Sequence, residues 1–170
     1  MDYLLNRIHH LPASGAQYGA LTGFTPNIVF DELEKAPSIP LISMVDTSRD
    51  YTEKNGYKKI CLLGTLPTIN GSFFTNLLKK WIEIITPNES NKNYIGNKIE
   101  TELEFGKVIP ETQDAFKKIA YRIIQGSKVQ ALVLGCTELP MISKDVKLSV
   151  PYLDVMQIHI NDLIVLILKD

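Results

Sequence analysis

Cysteine is scarce in this sequence. The 170 residues contain two cysteines, Cys61 and Cys136, and neither has a second thiol or a histidine at the spacing of metal ligands. The sequence therefore predicts neither a disulfide framework nor a zinc site, and no metal is expected. This use of cysteine is typical of proteins of the reducing cytoplasm, and we expect a cytoplasmic location.

A surplus of charge of either sign is also missing. Eighteen Lys and Arg stand against nineteen Asp and Glu, and neither sign forms a cluster that would attract nucleic acid or an anionic membrane. The most apolar stretch, Leu163 to Leu168, is far shorter than the roughly 20 residues that cross a bilayer. We therefore expect the partners to be a small molecule or a second copy of the chain, and neither nucleic acid nor a membrane.

The apolar residues are abundant enough for a real core, at 45% of the chain. Apolar runs of strand length alternate with stretches of helical period, which predicts the α/β class, with parallel-sheet lobes covered by helices. Strands are expected at 18–22, 40–45, 59–63, 82–86, 131–134 and 148–153. Helices are expected at about 3–10, from 25 or 26, after a cap at Asp46 or Thr47, at 72–81, 89–105 and 110–125, and from about 156.

The chain opens with a helix, whereas a parallel-sheet protein normally begins with a strand. We therefore expect the sheet to lack its first members. An exposed sheet edge or a partner that covers it would have to compensate.

Ligands of open α/β sheets bind at the carboxyl ends of the strands, so the residues just after each strand are the candidates for chemistry. Cys136 follows an apolar strand within Gly135-Cys136-Thr137-Glu138, where helix N–H groups favour the thiolate. We interpret it as a catalytic acid/base, and a small buried cysteine is the alternative. Cys61 lies inside an apolar run and is expected to be buried and inert.

Hydroxyl side chains follow the strand at 59–63. Thr65 and Thr68 can donate hydrogen bonds to a substrate carboxylate, and capping of the next helix is an equally good interpretation. His159 lies on the last helix, where packing is the simpler interpretation and a role in the site is the alternative.

Several motifs together resemble one known family, the cofactor-independent aspartate/glutamate racemases. The segment Gly135-Cys136-Thr137-Glu138-Leu139-Pro140, after an apolar strand, is similar to the second cysteine motif of that family. The order and spacing of five other segments agree with it: 28–33, 39–43, 62–65, 102–106 and 157–159.

This resemblance implies two pseudo-symmetric lobes, often in a dimer, with one cysteine from each lobe facing the α-carbon of a small acidic amino acid. One thiolate removes the α-proton and the opposite thiol protonates the other face, without pyridoxal phosphate or another cofactor. In this chain the resemblance implies Cys136 as the acid/base and Glu138 and His159 as supporting residues. The residues expected to bind the substrate carboxylate are Thr25, Thr65, Thr68 and Thr137.

The sequence departs from the family pattern at the first cysteine motif. The typical motif is Cys-Asn-Thr-x-His, and the same positions read Gly23-Phe24-Thr25-Pro26-Asn27 here. Gly23 cannot transfer a proton. The first half-site is therefore expected to have lost its base.

The second departure is length, because family members have additional N-terminal residues with a first strand–helix–strand unit. We expect a shortened first lobe at residues 1–45 plus about 155–170, and a second lobe at 46–154. The predicted function is an impaired aspartate or glutamate racemase. A catalytically inactive module that binds an acidic amino acid is the alternative, and a lyase or isomerase with a single cysteine is a third possibility.

Overall fold

The computed structural model describes residues 2–35, 39–78 and 82–169. Within these ranges, helices and strands alternate along most of the chain. The strands are β1 (Gly19–Ala20), β2 (Leu41–Ile42), β3 (Lys59–Gly64), β4 (Glu83–Ile85), β5 (Ala131–Gly135) and β6 (Tyr152–Asp154). The α-helices are α1 (Asp2–His10), α2 (Phe30–Leu33), α3 (Met44–Lys54), α4 (Leu66–Asn70), α5 (Ser72–Leu78), α6 (Glu89–Thr101), α7 (Pro110–Ser127), α8 (Leu139–Ser143) and α9 (Val155–Ile167).

The strands form two parallel sheets. One is a pair, β1 and β2, and the other has four strands in the order β4-β3-β5-β6. Helices flank these sheets, so the predicted α/β class with parallel sheets is confirmed. None of the helices in the described ranges has the length and apolar character that crossing a bilayer requires.

The two central strands, β3 and β5, are buried on both faces. Alternate residues point to opposite faces, so Leu63 and Leu134 pack in one cluster with α6 and α7, whereas Leu62 and Val133 pack in another that includes α3 and α9. A third, smaller cluster joins α1, α2 and the β1–β2 pair through residues such as Leu33. Because β3 and β5 are buried on both faces, we expect the four-stranded sheet to be the most rigid part of the molecule.

Some predicted boundaries are wrong. The strand expected at 40–45 ends at Ile42, because the next residue, Ser43, is the N-cap of α3. Ser43 Oγ accepts the N–H of Asp46 at 3.1 Å, and α3 begins at Met44. Ser43, rather than Asp46 or Thr47, is therefore the cap. The strand expected from 148 begins at Tyr152, and the helix expected at 89–105 ends at Thr101 before a 3₁₀ turn. The predicted end of the helix at 79–81 lies outside the described residues.

Two glycines, Gly64 and Gly135, stand side by side where β3 and β5 end. A Cβ atom at Gly135 would lie 2.9 Å from Leu62 Cδ1, 3.0 Å from the Leu63 carbonyl oxygen and 3.2 Å from Thr68 Cγ2. A Cβ atom at Gly64 would lie 3.0 Å from the Gly135 oxygen. Only glycine allows the two strand ends and Thr68 to approach this closely.

We predict that Gly135→Ala destabilises the fold by about 1–3 kcal/mol, since the added methyl group must push apart backbone and core atoms that have no free space. Urea unfolding measures the free energy of unfolding of both proteins. The matched control is Gly126→Ala near the end of α7, where an added Cβ meets no atom within 4 Å. That control should be neutral or more stable by up to about 1 kcal/mol. Equal stability of Gly135→Ala and the wild type would contradict the close approach.

Candidate active site

Three threonine hydroxyls meet at the carboxyl end of β3. Thr25 Oγ1 lies 2.9 Å from Thr68 Oγ1 and 3.3 Å from Thr65 Oγ1, and Thr65 Oγ1 donates to Thr68 Oγ1 at 3.1 Å. Thr68 is fully buried, whereas Thr25 and Thr65 are partly exposed. We call Thr25, Thr65 and Thr68 the threonine cluster.

Local structure places each of these hydroxyls. Thr65 is the N-cap of α4, and its Oγ1 accepts the N–H of Thr68 at 3.4 Å. Thr25 begins a 3₁₀ helix, Thr25–Val29, which follows β1. The cap that the sequence offered as an alternative at Thr65 is present, and the same hydroxyl also belongs to the cluster.

Cys136 follows the last residue of β5, and its thiol faces a carboxylate. Sγ donates to Glu138 Oε2 at 2.9 Å, and Thr137 Oγ1 donates to Glu138 Oε1 at 2.6 Å. Each carboxylate oxygen of Glu138 therefore accepts a hydrogen bond from one of the two preceding residues. Cys136 is 8% exposed, so its thiol is largely shielded from solvent.

This environment keeps Cys136 protonated. Burial, the hydrogen bond to Glu138 and the negative charges of Glu138 and Glu104 raise the pKa of the Cys136 thiol to about 12, and the backbone N–H of Glu138 opposes them. The thiol therefore stays protonated at neutral pH. Burial alone raises the pKa of Glu138, but hydrogen bonds from Cys136, Thr137 and its own N–H outweigh it and leave that pKa low. The resting pair is thus a thiol and a carboxylate.

The threonine cluster and the thiol lie on neighbouring strand ends. Gly64 precedes Thr65, Gly135 precedes Cys136, and the two glycines are paired in the sheet. The Thr68 methyl group would be 3.2 Å from a Cβ at position 135, so Thr68 reaches across to β5. The arrangement sets hydroxyl donors beside a thiol and a carboxylate, which suits the binding of an anion next to a group that can transfer a proton.

The segment that departs from the racemase pattern is built into the core. Phe24 is 2% exposed and packs against the rings of Phe73 and Phe74, with centroids 5.5 and 5.2 Å away. Asn27 Nδ2 donates to the carbonyls of Gly23 and Phe24 at 2.8 and 3.2 Å. Position 24 and position 27 therefore hold the shape of this turn, and Gly23 offers no side chain for chemistry.

His159 is on α9 and faces α3. Its Nδ1 is 3.1 Å from Thr47 Oγ1, and burial lowers the pKa of its imidazole. Because Thr47 Oγ1 donates its proton to the Met44 carbonyl, Nδ1 is the donor of this pair, and the lowered pKa favours the neutral ring. Among the hydrogen bonds of the described residues, none joins His159 to Cys136, Glu138 or the threonine cluster.

Two contributors to the site had no clear signal in the sequence. Glu104 lies in an acidic stretch and is exposed to solvent, and its charge is the smallest of the causes that raise the pKa of Cys136. The sequence shows a glycine at the end of each of these two strands, but it does not show that Gly64 and Gly135 are paired in the sheet. Within the described ranges, no group of three or more His, Cys, Asp or Glu side chains is placed to hold a metal ion.

Comparison with known proteins places this site in context. The model of the Asp/Glu/Hydantoin racemase family matches residues 1–163. An aspartate racemase homologue from Pyrococcus horikoshii OT3 has a similar structure, with a TM-score of 0.86 and 30% identity over 97% of this chain and 73% of that one.

Two more distant structures share the fold. Glutamate racemase from Francisella tularensis has a TM-score of 0.72 at 17% identity, over 99% of this chain and 63% of that one. Allantoin racemase from Klebsiella pneumoniae has a TM-score of 0.67 at 15% identity, over 98% of this chain and 65% of that one.

We predict that Glu138→Gln lowers the pKa of the Cys136 thiol, because it removes a carboxylate acceptor and its negative charge. The pKa should stay above the ordinary value, since burial, the largest cause, remains. The rate of alkylation by iodoacetamide, followed against pH, reports the thiolate fraction. Fully buried Cys61 should not react in the folded protein, and Cys136→Ala checks this. An unchanged or higher pKa in Glu138→Gln would contradict the proposed thiol–carboxylate pair.

Proposed function

The chain belongs to the Asp/Glu/hydantoin racemase family, and from that premise we propose that it transfers a proton at the α-carbon of aspartate or glutamate, with Cys136 as the acid/base. Family membership indicates an isomerase of the racemase type. The observation that supports a role for this chain's own residues is the thiol–carboxylate pair of Cys136 and Glu138 beside the threonine cluster. The proposal needs no cofactor.

In this proposal the substrate carboxylate binds the threonine cluster and Thr137. Thr25 and Thr65 are partly exposed, and their hydroxyl protons can turn from each other toward an anion. Hydrogen bonds to a charged acceptor are stronger than those between neutral hydroxyls. The same donors stabilise the negative charge that develops on the carboxylate as the α-proton leaves.

Proton transfer then begins with the thiol. Cys136 gives its Sγ proton to Glu138 Oε2, 2.9 Å away, and the thiolate takes the α-proton, leaving a carbanion. The α-ammonium group of the substrate brings a positive charge toward the negative surroundings of Cys136, which lowers the cost of forming the thiolate. Return of the proton from Cys136 restores the same enantiomer.

Inversion requires a proton donor on the opposite face, and Gly23 supplies none. Water would have to protonate that face, so exchange of the α-proton should outpace racemisation. Loss of one of two proton-transfer groups typically lowers the rate by about two to four orders of magnitude.

A second candidate function is a module that binds an acidic amino acid without turnover. The observations that favour it are Gly23 at the first cysteine position and the thiol pKa of about 12 at Cys136. Under this alternative the threonine cluster binds the carboxylate and the thiol stays protonated.

We predict that the protein exchanges the α-proton of L-aspartate or L-glutamate with D₂O, and that inversion is slower than exchange. Proton NMR follows the loss of the Cα–H signal, and chiral chromatography measures the D-enantiomer. Cys136→Ala should abolish exchange, whereas Cys61→Ala should retain it. No exchange by a folded protein that still binds the amino acid would leave the binding module as the function.

We also predict that Thr25→Val raises the KM or Kd for the amino acid about tenfold, because it removes one hydroxyl donor and keeps the shape of the side chain. Calorimetry measures binding even if turnover is absent. Thr101→Val is the control, since the Thr101 hydroxyl donates to Asn97 within its own helix. Equal affinity in the two variants would show that the threonine cluster does not bind the carboxylate.

A further inference from the structure

A cavity lies among the 3₁₀ helix after β1, the start of α3 and the start of α5. Its volume is about 350 Å³, at the lower end of the range for small-molecule sites. Its lining contains neither Cys136 nor any member of the threonine cluster. We propose that this cavity binds a small organic cation, a primary ammonium group on a short apolar chain.

The charge of the lining favours a cation. Asp31 and Asp46 line the cavity, and none of the lining residues that the structure describes is a Lys or Arg. Arg49 pairs with Asp46 through Oδ1 at 2.6 Å, and within the described ranges no ion pair joins Asp31 to a basic side chain. Among the described residues, the solvent-exposed carboxylate of Asp31 is therefore a negative charge at the cavity that no basic side chain pairs with.

An uncharged acceptor points to the same ligand chemistry. Asn27 lines the cavity, is 3% exposed, and its Oδ1 is buried and accepts no hydrogen bond in the described part of the chain. The two bonds to the carbonyls of Gly23 and Phe24 fix which end of the amide is the nitrogen. Both amide protons are thus in use, and Oδ1 keeps an unused acceptor capacity, which a ligand N–H reaches when the cavity wall shifts to uncover this buried atom.

The rest of the wall suits an apolar body. Phe30, Val45 and Phe73 line the cavity together with small polar residues. Ser43 is held in place, because its Oγ accepts the N–H of Asp46 at the start of α3. A short alkyl chain can pack on the apolar residues while its ammonium group reaches the acidic and amide oxygens.

The test is amide chemical-shift mapping by NMR with n-butylammonium as the probe and 1-butanol and butyrate as isosteric controls. We expect saturable shifts at the cavity residues with n-butylammonium alone, and weaker binding at higher salt. Asp31→Asn should weaken binding about threefold to fivefold, as loss of an exposed charge does. Its neighbour Glu32, which does not line the cavity, gives the matched control Glu32→Gln with unchanged affinity.

Three outcomes would overturn the proposal: no saturable shifts, equal binding of 1-butanol, or shifts centred outside the cavity. Asn27→Ala should also weaken binding, and if that variant unfolds, the Asp31→Asn and Glu32→Gln pair still decides. Cys136→Ala should bind the cation with wild-type affinity. The result is therefore separate from the success or failure of the proton-transfer proposal.

Discussion

The pairing of β3 with β5 is the interaction on which the site depends. These parallel strands are buried on both faces and end at the same level, at Gly64 and Gly135. Because neither residue has a side chain, Thr65 and Thr68, which follow β3, can approach the end of β5 that leads into Cys136. The close approach of the β3 and β5 backbones therefore positions the reactive side chains in the most rigid part of the sheet.

The electrostatics of the site divide it into two regions. The carboxylate of Glu138 lies against Cys136 and the exposed Glu104 adds a weaker negative charge, while the threonine cluster offers neutral donors. An amino acid bound here would therefore orient its ammonium group toward the glutamates and its carboxylate toward the threonines. The second carboxylate of aspartate or glutamate would have to stay away from Glu138, and this restricts the poses that such a substrate can take.

Much of the fold could be predicted from the sequence, because the hydrophobic periods of strands and helices alternate along the chain in the same order as the observed elements. The position of Cys136 after β5 also follows from a strongly apolar strand. The start of α3 was missed because Met44 and Val45 continue the apolar run of β2, so that nothing in the pattern marks Ser43 as a cap. The burial of Phe24 and the bonds of Asn27 depend on contacts with α5 and on local turn geometry, which periodicity does not encode.

The mutual bonds of the threonine cluster have a consequence for selectivity. Its hydroxyls already satisfy one another, so an incoming ligand replaces an existing O–H···O bond and does not fill an empty donor. A neutral carbonyl would gain little from such an exchange, because it accepts about as strongly as a hydroxyl oxygen. A carboxylate gains more, since its charge strengthens the new bond. The mutual bonds of the three hydroxyls therefore favour ligands that accept hydrogen bonds strongly, such as carboxylates, over neutral ligands.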